Sequence, residues 1–171
     1  MTALMAVPVV AADGRFAGRV AFAEMIRQGF ASAASARWRE IVLSDTDYAD
    51  WPLDERGVAE DLQRWTKTGG RLTMLARRYD AVLARHARFV VWRRNWSHRV
   101  ECRAVAAAMA ASADGLPSAF WSPDWAFERL DIRRCAGVAG SDAGRNVALK
   151  ERLNEALLQS VPAFPATVLG L

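Results

Sequence analysis

A chain of 171 residues that is 52% apolar and 25% charged is long enough for one hydrophobic core and too short for two ordinary domains, and its composition excludes the disordered class. The net charge of +4 comes from 23 basic and 19 acidic residues, and lysine occurs only at Lys67 and Lys150. A modest arginine excess spread along the whole chain disfavours nucleic acid as a partner, because a phosphate backbone is held by cations gathered on one face. The clusters visible in sequence are only the pairs Arg77-Arg78, Arg93-Arg94 and Arg133-Arg134.

Met1 to Gly14 is apolar but lacks a charged leader and is broken by Pro8, so it does not read as a signal peptide. No stretch approaches the roughly 20 apolar residues that span a bilayer, which leaves the cytoplasm as the expected location and no membrane partner. Between Phe16 and Ala34, Val20, Ala23, Ile26 and Phe30 recur every three or four residues and predict a helix. Ile41-Val42-Leu43 predicts a strand. A second helix runs from Pro52 to Thr68, with Pro52 suited to a first turn, Asp54 and Glu55 suited to the helix dipole, and Val58, Leu62 and Trp65 inward. Thr68-Gly69-Gly70 ends it and Arg71 to Ala76 forms the next strand.

A short helix is expected from Tyr79 to His86, then a third strand at Phe89-Val90-Val91-Trp92. Arg93 to Val105 is compatible with either a strand or a helix, since Val100, Cys102 and Ala104 alternate with charges while Trp92, Trp96, Val100 and Ala104 keep helical spacing; a strand is preferred. Residues 106 to 113 read as a turn or helical fragment, and Asp114 to Pro117 as a break. Ala119 to Leu130 is extended, and Pro123 within it implies an edge strand or an intervening loop. Residues 136 to 144 are Gly- and Ala-rich and read as a loop. The last helix runs from Arg145 to about Val161, burying Leu149, Leu153, Leu157 and Leu158. The expected architecture is one α/β domain over residues 1 to 171, with irregular ends at 1 to 15 and 162 to 171: a three-layer sandwich with a mainly parallel central sheet and helices on both faces.

Cys102 and Cys135 lie 33 positions apart without metal or redox spacing and read as buried thiols. The seven tryptophans suit a packed core first, a protein interface second and a base-stacking platform third. In an open parallel sheet ligands bind at the carboxyl ends of the strands, which draws attention to Ser44-Asp45-Thr46-Asp47. Two carboxylates one residue apart at a strand end resemble the first motif of the haloacid-dehalogenase-like phosphatases. That resemblance implies a Mg²⁺-dependent phosphohydrolase with Asp45 as nucleophile and Asp47 as general acid or base. No lysine between Lys67 and Lys150 is available to neutralise the phosphate, and the loop Gly140-Ser141-Asp142 has one Asp where the family usually has two. The plainer reading is a solvated turn in which the Asp side chains bond nearby amides.

The order of helix, strand, helix, strand, short helix and strand, followed by Trp96-Ser97-His98-Arg99-Val100-Glu101-Cys102-Arg103, resembles one half of a phospholipase D-like fold. In particular it is similar to an uncharacterised bacterial domain family that looks like such a half without its catalytic motif. Active members carry His-x-Lys, then four residues, then Asp. Placing His98 on that His puts Val100 and Val105 at the Lys and Asp positions, so the resemblance implies a copy silent in phosphodiester chemistry. A lone His is more often structural than catalytic.

The expected function is therefore a non-catalytic binding or protein-interaction domain, with no catalytic residue, metal or cofactor assigned. The candidate ligand-facing residues are Asp45, Asp47, Arg77, Arg78 and His98. A protein or a small anionic ligand is the expected partner, and a Trp-bearing edge near Trp121 would favour a homodimer. The phosphohydrolase and nucleic-acid binding are the alternatives.

Overall fold

The structure, a computed structural model, describes residues 13–107 and 115–165. In chain order its elements are β1 (Gly14–Phe16), α1 (Arg19–Ala36), β2 (Glu40–Ser44), α2 (Arg56–Lys67), β3 (Arg71–Ala76), α3 (Asp80–Arg85), α4 (Ala87–Asn95), β4 (Val100–Ala104), β5 (Ser118–Trp121), β6 (Ala126–Asp131), β7 (Ala136–Gly140), α5 (Ala143–Leu158) and β8 (Val161–Pro162). All eight strands form one sheet in the order β1-β7-β6-β5-β2-β3-β4-β8. The readings of residues 1 to 12, most of 106 to 114, and 166 to 171 lie outside the described residues.

The parallel unit is as its apolar runs predict. β2 pairs with β3 through Ile41↔Leu72 and β3 with β4 through Leu72↔Val100, both parallel. β2 from Ile41 to Leu43 is apolar without alternation because both faces are covered: Ile41 and Leu43 point into the larger core, Val42, like Leu75 of β3, into the smaller. On the first face Phe22, Ile26 and Phe30 of α1, Leu62 and Trp65 of α2, and Phe89 and Trp92 of α4 cover the sheet. On the second, Leu149, Leu153 and Ala156 of α5 pack on Val42, Ala119 and Trp121.

The expectation of a mainly parallel sheet is overturned. The β1–β7, β2–β5, β4–β8, β5–β6 and β6–β7 pairings are all antiparallel. One misreading displaces a parallel strand along the chain, and two conceal the antiparallel half. Phe89-Val90-Val91-Trp92 is part of helix α4, where Phe89 and Trp92, three apart, face the core and Val91 is exposed; the strand begins only at Val100. Residues 136 to 140, expected as loop, are strand β7, because a Cβ on Gly137 would collide with the Glu128 backbone on β6 and only glycine permits that approach. Ser122-Pro123-Asp124-Trp125 is a hairpin turn between two interior strands, closed by the Ser122 amide donating to the Trp125 carbonyl at 2.9 Å and by the Ser122 hydroxyl donating to the same oxygen at 2.6 Å.

Candidate functional site

The carboxyl ends of β2 and β3 hold four of the five expected ligand-facing residues. Asp45 is only 3% exposed. Its Oδ1 accepts from Arg129 Nη2 at 2.9 Å, and its Oδ2 accepts from the Tyr48 amide at 2.8 Å and the Asp47 amide at 3.3 Å. Arg129, on β6, also donates from Nε to Ser118 Oγ at 3.0 Å, pairs with Asp50, and lies 4.1 Å over the Phe22 ring. Burial pulls the Arg129 guanidinium down, but Asp50 and Asp45 more than offset this and hold it above the ordinary arginine value. Both Asp45 oxygens are thus engaged in a buried latch. Asp47 accepts from the Ala49 amide at 3.0 Å and lies 3.9 Å from Arg78. Arg77 and Arg78 are exposed, their amides tied to the Thr46 carbonyl. Among the described residues no group of three or more His, Cys, Asp or Glu side chains could hold a metal ion.

His98 is at the opposite end of the sheet. Because β2, β3 and β4 run parallel and are entered from helices, the loops α1–β2, α2–β3 and α4–β4 all fall at their amino ends. Residues roughly thirty positions apart in sequence become neighbours there. Arg37 and Arg39 come from the first loop, Lys67 and Arg71 flank the second, and Arg94, His98 and Arg99 flank the third. The loops are stitched together. The Arg71 amide donates to the Arg39 carbonyl at 3.0 Å, Arg99 Nη1 to the Gly69 carbonyl at 2.9 Å, and Trp65 Nε1 to the Trp38 carbonyl at 2.6 Å.

None of Arg37, Arg39, Lys67, Arg71, Arg94 and Arg99 forms an ion pair among the described residues. The nearest carboxylates in sequence are taken: Glu40 accepts from Lys150 at 3.0 Å and Glu101 from Arg103 at 3.0 Å. Cations at helix C-termini answer the negative end of the helix dipole, which explains why each loop tolerates them. Concentrating them at one end also leaves uncompensated positive charge there. Asp13, Asp124 and Asp142 lie at the same end but under the antiparallel half, at the starts of β1 and α5 and in the β5–β6 turn.

Beside this rim, where β8 stops after pairing only Arg103 and Ala104, the open edge of β4 borders a cavity of about 850 Å³ whose lining includes Arg71, Thr73, Arg93, Ser97, His98 and Arg99. The expected residues therefore do not form one site: Asp45, Asp47, Arg77 and Arg78 lie at one end and His98 at the other. Sequence reading missed Arg37, Arg39, Lys67, Arg71, Arg94 and Arg99 as a group. The available signal was partial: Arg37, Arg39 and Lys67 precede the strands expected at Ile41 and Arg71, whereas Arg94 and Arg99 follow the strand expected at Phe89 to Trp92.

No protein-family model matches the chain, and no curated protein matches it. Among solved structures, that of TrmBL2, an archaeal chromatin protein described as showing a novel mode of DNA binding, superposes with a TM-score of 0.61 at 15% identity over 89% of this chain. The match covers 55% of that protein, so the chain spans about half its length. At this identity the likeness establishes a shared fold. A neighbour of this fold that binds DNA, and the meeting of Arg37, Arg39, Lys67, Arg71, Arg94 and Arg99 at one end of the sheet, overturn the expectation that nucleic acid is disfavoured. The homodimer expectation also loses its basis, because Trp121 is 9% exposed on an interior strand, with Lys150 Nζ 4.1 Å over its ring.

Proposed function

We propose that this chain is a non-catalytic nucleic-acid-binding domain that holds a phosphate backbone along the amino ends of β2, β3 and β4. The observation that carries this reading is the convergence of Arg37, Arg39, Lys67, Arg71, Arg94 and Arg99, none of them ion-paired among the described residues, on one end of the sheet. Unpaired guanidinium groups on short, mutually bonded loops can hold phosphates with little ordering cost. The fold likeness to a chromatin protein that binds DNA supports the same ligand class. A catalytically degenerate half of a phospholipase D-like fold is consistent with a domain that binds without cutting, since Val100 and Val105 are buried apolar residues at the positions of the motif's Lys and Asp.

Fluorescence anisotropy with a labelled duplex at low salt tests the reading. Binding is expected for the native chain and strong loss for Arg37→Glu/Arg39→Glu/Arg71→Glu. Arg133→Glu/Arg134→Glu, in the β6–β7 loop at the opposite end, is expected to bind nearly as the native chain does. Absence of binding, or equal loss in both variants, would overturn the reading.

A further inference from the structure

Two arginines are buried among the described residues, and they are served very differently. Arg129 is held by two carboxylates, whereas Arg93, 7% exposed, forms no ion pair among the described residues. Among the described residues its Nη2 contacts the Phe164 carbonyl at 3.4 Å, its guanidinium lies beside the Cys102 thiol, its Cζ stands 6.0 Å from the Phe164 ring, and its Nε and Nη1 have no hydrogen-bond partner. A buried cation without a counter-charge is costly, so such a group marks a seat for an anion that binds from outside. The neighbouring Cys102 does not supply the charge. Burial pushes its thiol up to about 11 despite the downward pull of Arg93, so it is neutral at physiological pH.

Arg93 lines the cavity at the open edge of β4, where Arg71 and Arg99 add two further cations and Thr73, Ser97 and His98 add polar groups. The one carboxylate in the lining, Glu101, is already engaged by Arg103. Arg71 and Arg99 belong to both the basic rim and the cavity, so a strand lying along the rim leads to the cavity mouth. A recess suits the end of a strand better than its middle, because an internal phosphodiester continues on both sides. A terminal phosphomonoester also carries up to two negative charges and three acceptor oxygens, which suits several unpaired guanidinium groups.

Resting on the nucleic-acid reading above, we propose that the cavity lined by Arg93, Arg71, Arg99 and His98 seats a terminal phosphate of the nucleic acid held by the rim. The test compares one duplex in unphosphorylated, 5′-phosphorylated and 3′-phosphorylated forms by anisotropy, with inorganic phosphate and a mononucleotide as competitors. One phosphorylated form is expected to bind about tenfold more tightly than the unphosphorylated duplex, the gain of charge-assisted hydrogen bonds. Arg93→Met is expected to abolish that preference. Ser97→Glu, an exposed position that would place a negative charge at the cavity, is expected to do the same if the Arg93 variant fails to fold. Equal affinity for all three forms would overturn the terminal-phosphate proposal and leave the nucleic-acid reading standing. No binding of any form would overturn both. Equally tight capture of the free mononucleotide or of inorganic phosphate would overturn the proposal in favour of a free small phosphate as occupant.

Discussion

Arg129 and Asp45, 84 residues apart, meet at 2.9 Å with both side chains almost wholly buried. The pair ties the antiparallel half of the sheet to the end of the first parallel strand. Arg129→Met would leave Asp45 buried without its counter-charge and is expected to lower stability by about 3–5 kcal/mol. Arg129→Met/Asp45→Asn should recover part of that loss. Urea denaturation of both variants checks this, and a single-variant loss below about 1 kcal/mol would count against the latch.

Gly70 sits under the basic rim, and a Cβ there would run into the Trp65 indole. The Trp65 ring is fixed by its hydrogen bond to the Trp38 carbonyl and has little room to yield. Gly70→Ala is expected to cost about 1–3 kcal/mol and to shift the tryptophan fluorescence. A neutral substitution would show that the α2–β3 loop is looser than this packing implies.

Arg37 closes α1 with a left-handed backbone, φ 54°, a conformation that glycine adopts at less cost. An arginine at that strained position fits a role beyond the fold. Arg37→Gly is expected to stabilise the chain by about 1 kcal/mol while weakening duplex binding. Thermal melts and anisotropy on the same variant check the two effects, and a variant improved in both would contradict a binding role for Arg37.

The Glu55 carboxylate accepts two hydrogen bonds of 2.7 Å from Arg27, which hold its pKa below the usual 4.5 despite partial burial. A carboxylate with a lowered native pKa adds stability above pH 4.5 that is lost as the pH falls through the native value. Both side chains are about two-fifths exposed, so the pair is worth below about 1 kcal/mol. Arg27→Gln should flatten this part of the acid limb below pH 4.5 in a denaturation series. An unchanged acid limb would assign the loss to other carboxylates.

The parts legible in the sequence were those whose pattern has one physical cause. Ile41-Val42-Leu43 is apolar because both its faces are covered, and Gly69-Gly70 marks the helix end before the next strand. Phe89-Val90-Val91-Trp92 misled because a run of four apolar residues fits a strand as well as a helix. Ala136 to Gly140 was hidden because its glycine answers a close approach by Glu128, a contact no local propensity reports. The partner of Asp45 was invisible for a similar reason: Arg129 reaches it only through the register of β6 beside β5. The basic rim was misread because spacing along the chain was taken for spacing on the surface, and the parallel unit folds one into the other.

The most direct test of the central claim is the salt dependence of duplex binding. Each phosphate contact contributes about −0.9 to the slope of log affinity against log salt, so a rim using four or five of its cations should give a slope of roughly −4. Replacing Arg37, Arg39 and Arg71 together by glutamine should bring the slope to about −1 to −2. A native slope near zero, or one unchanged by the triple replacement, would contradict binding through the amino ends of β2, β3 and β4.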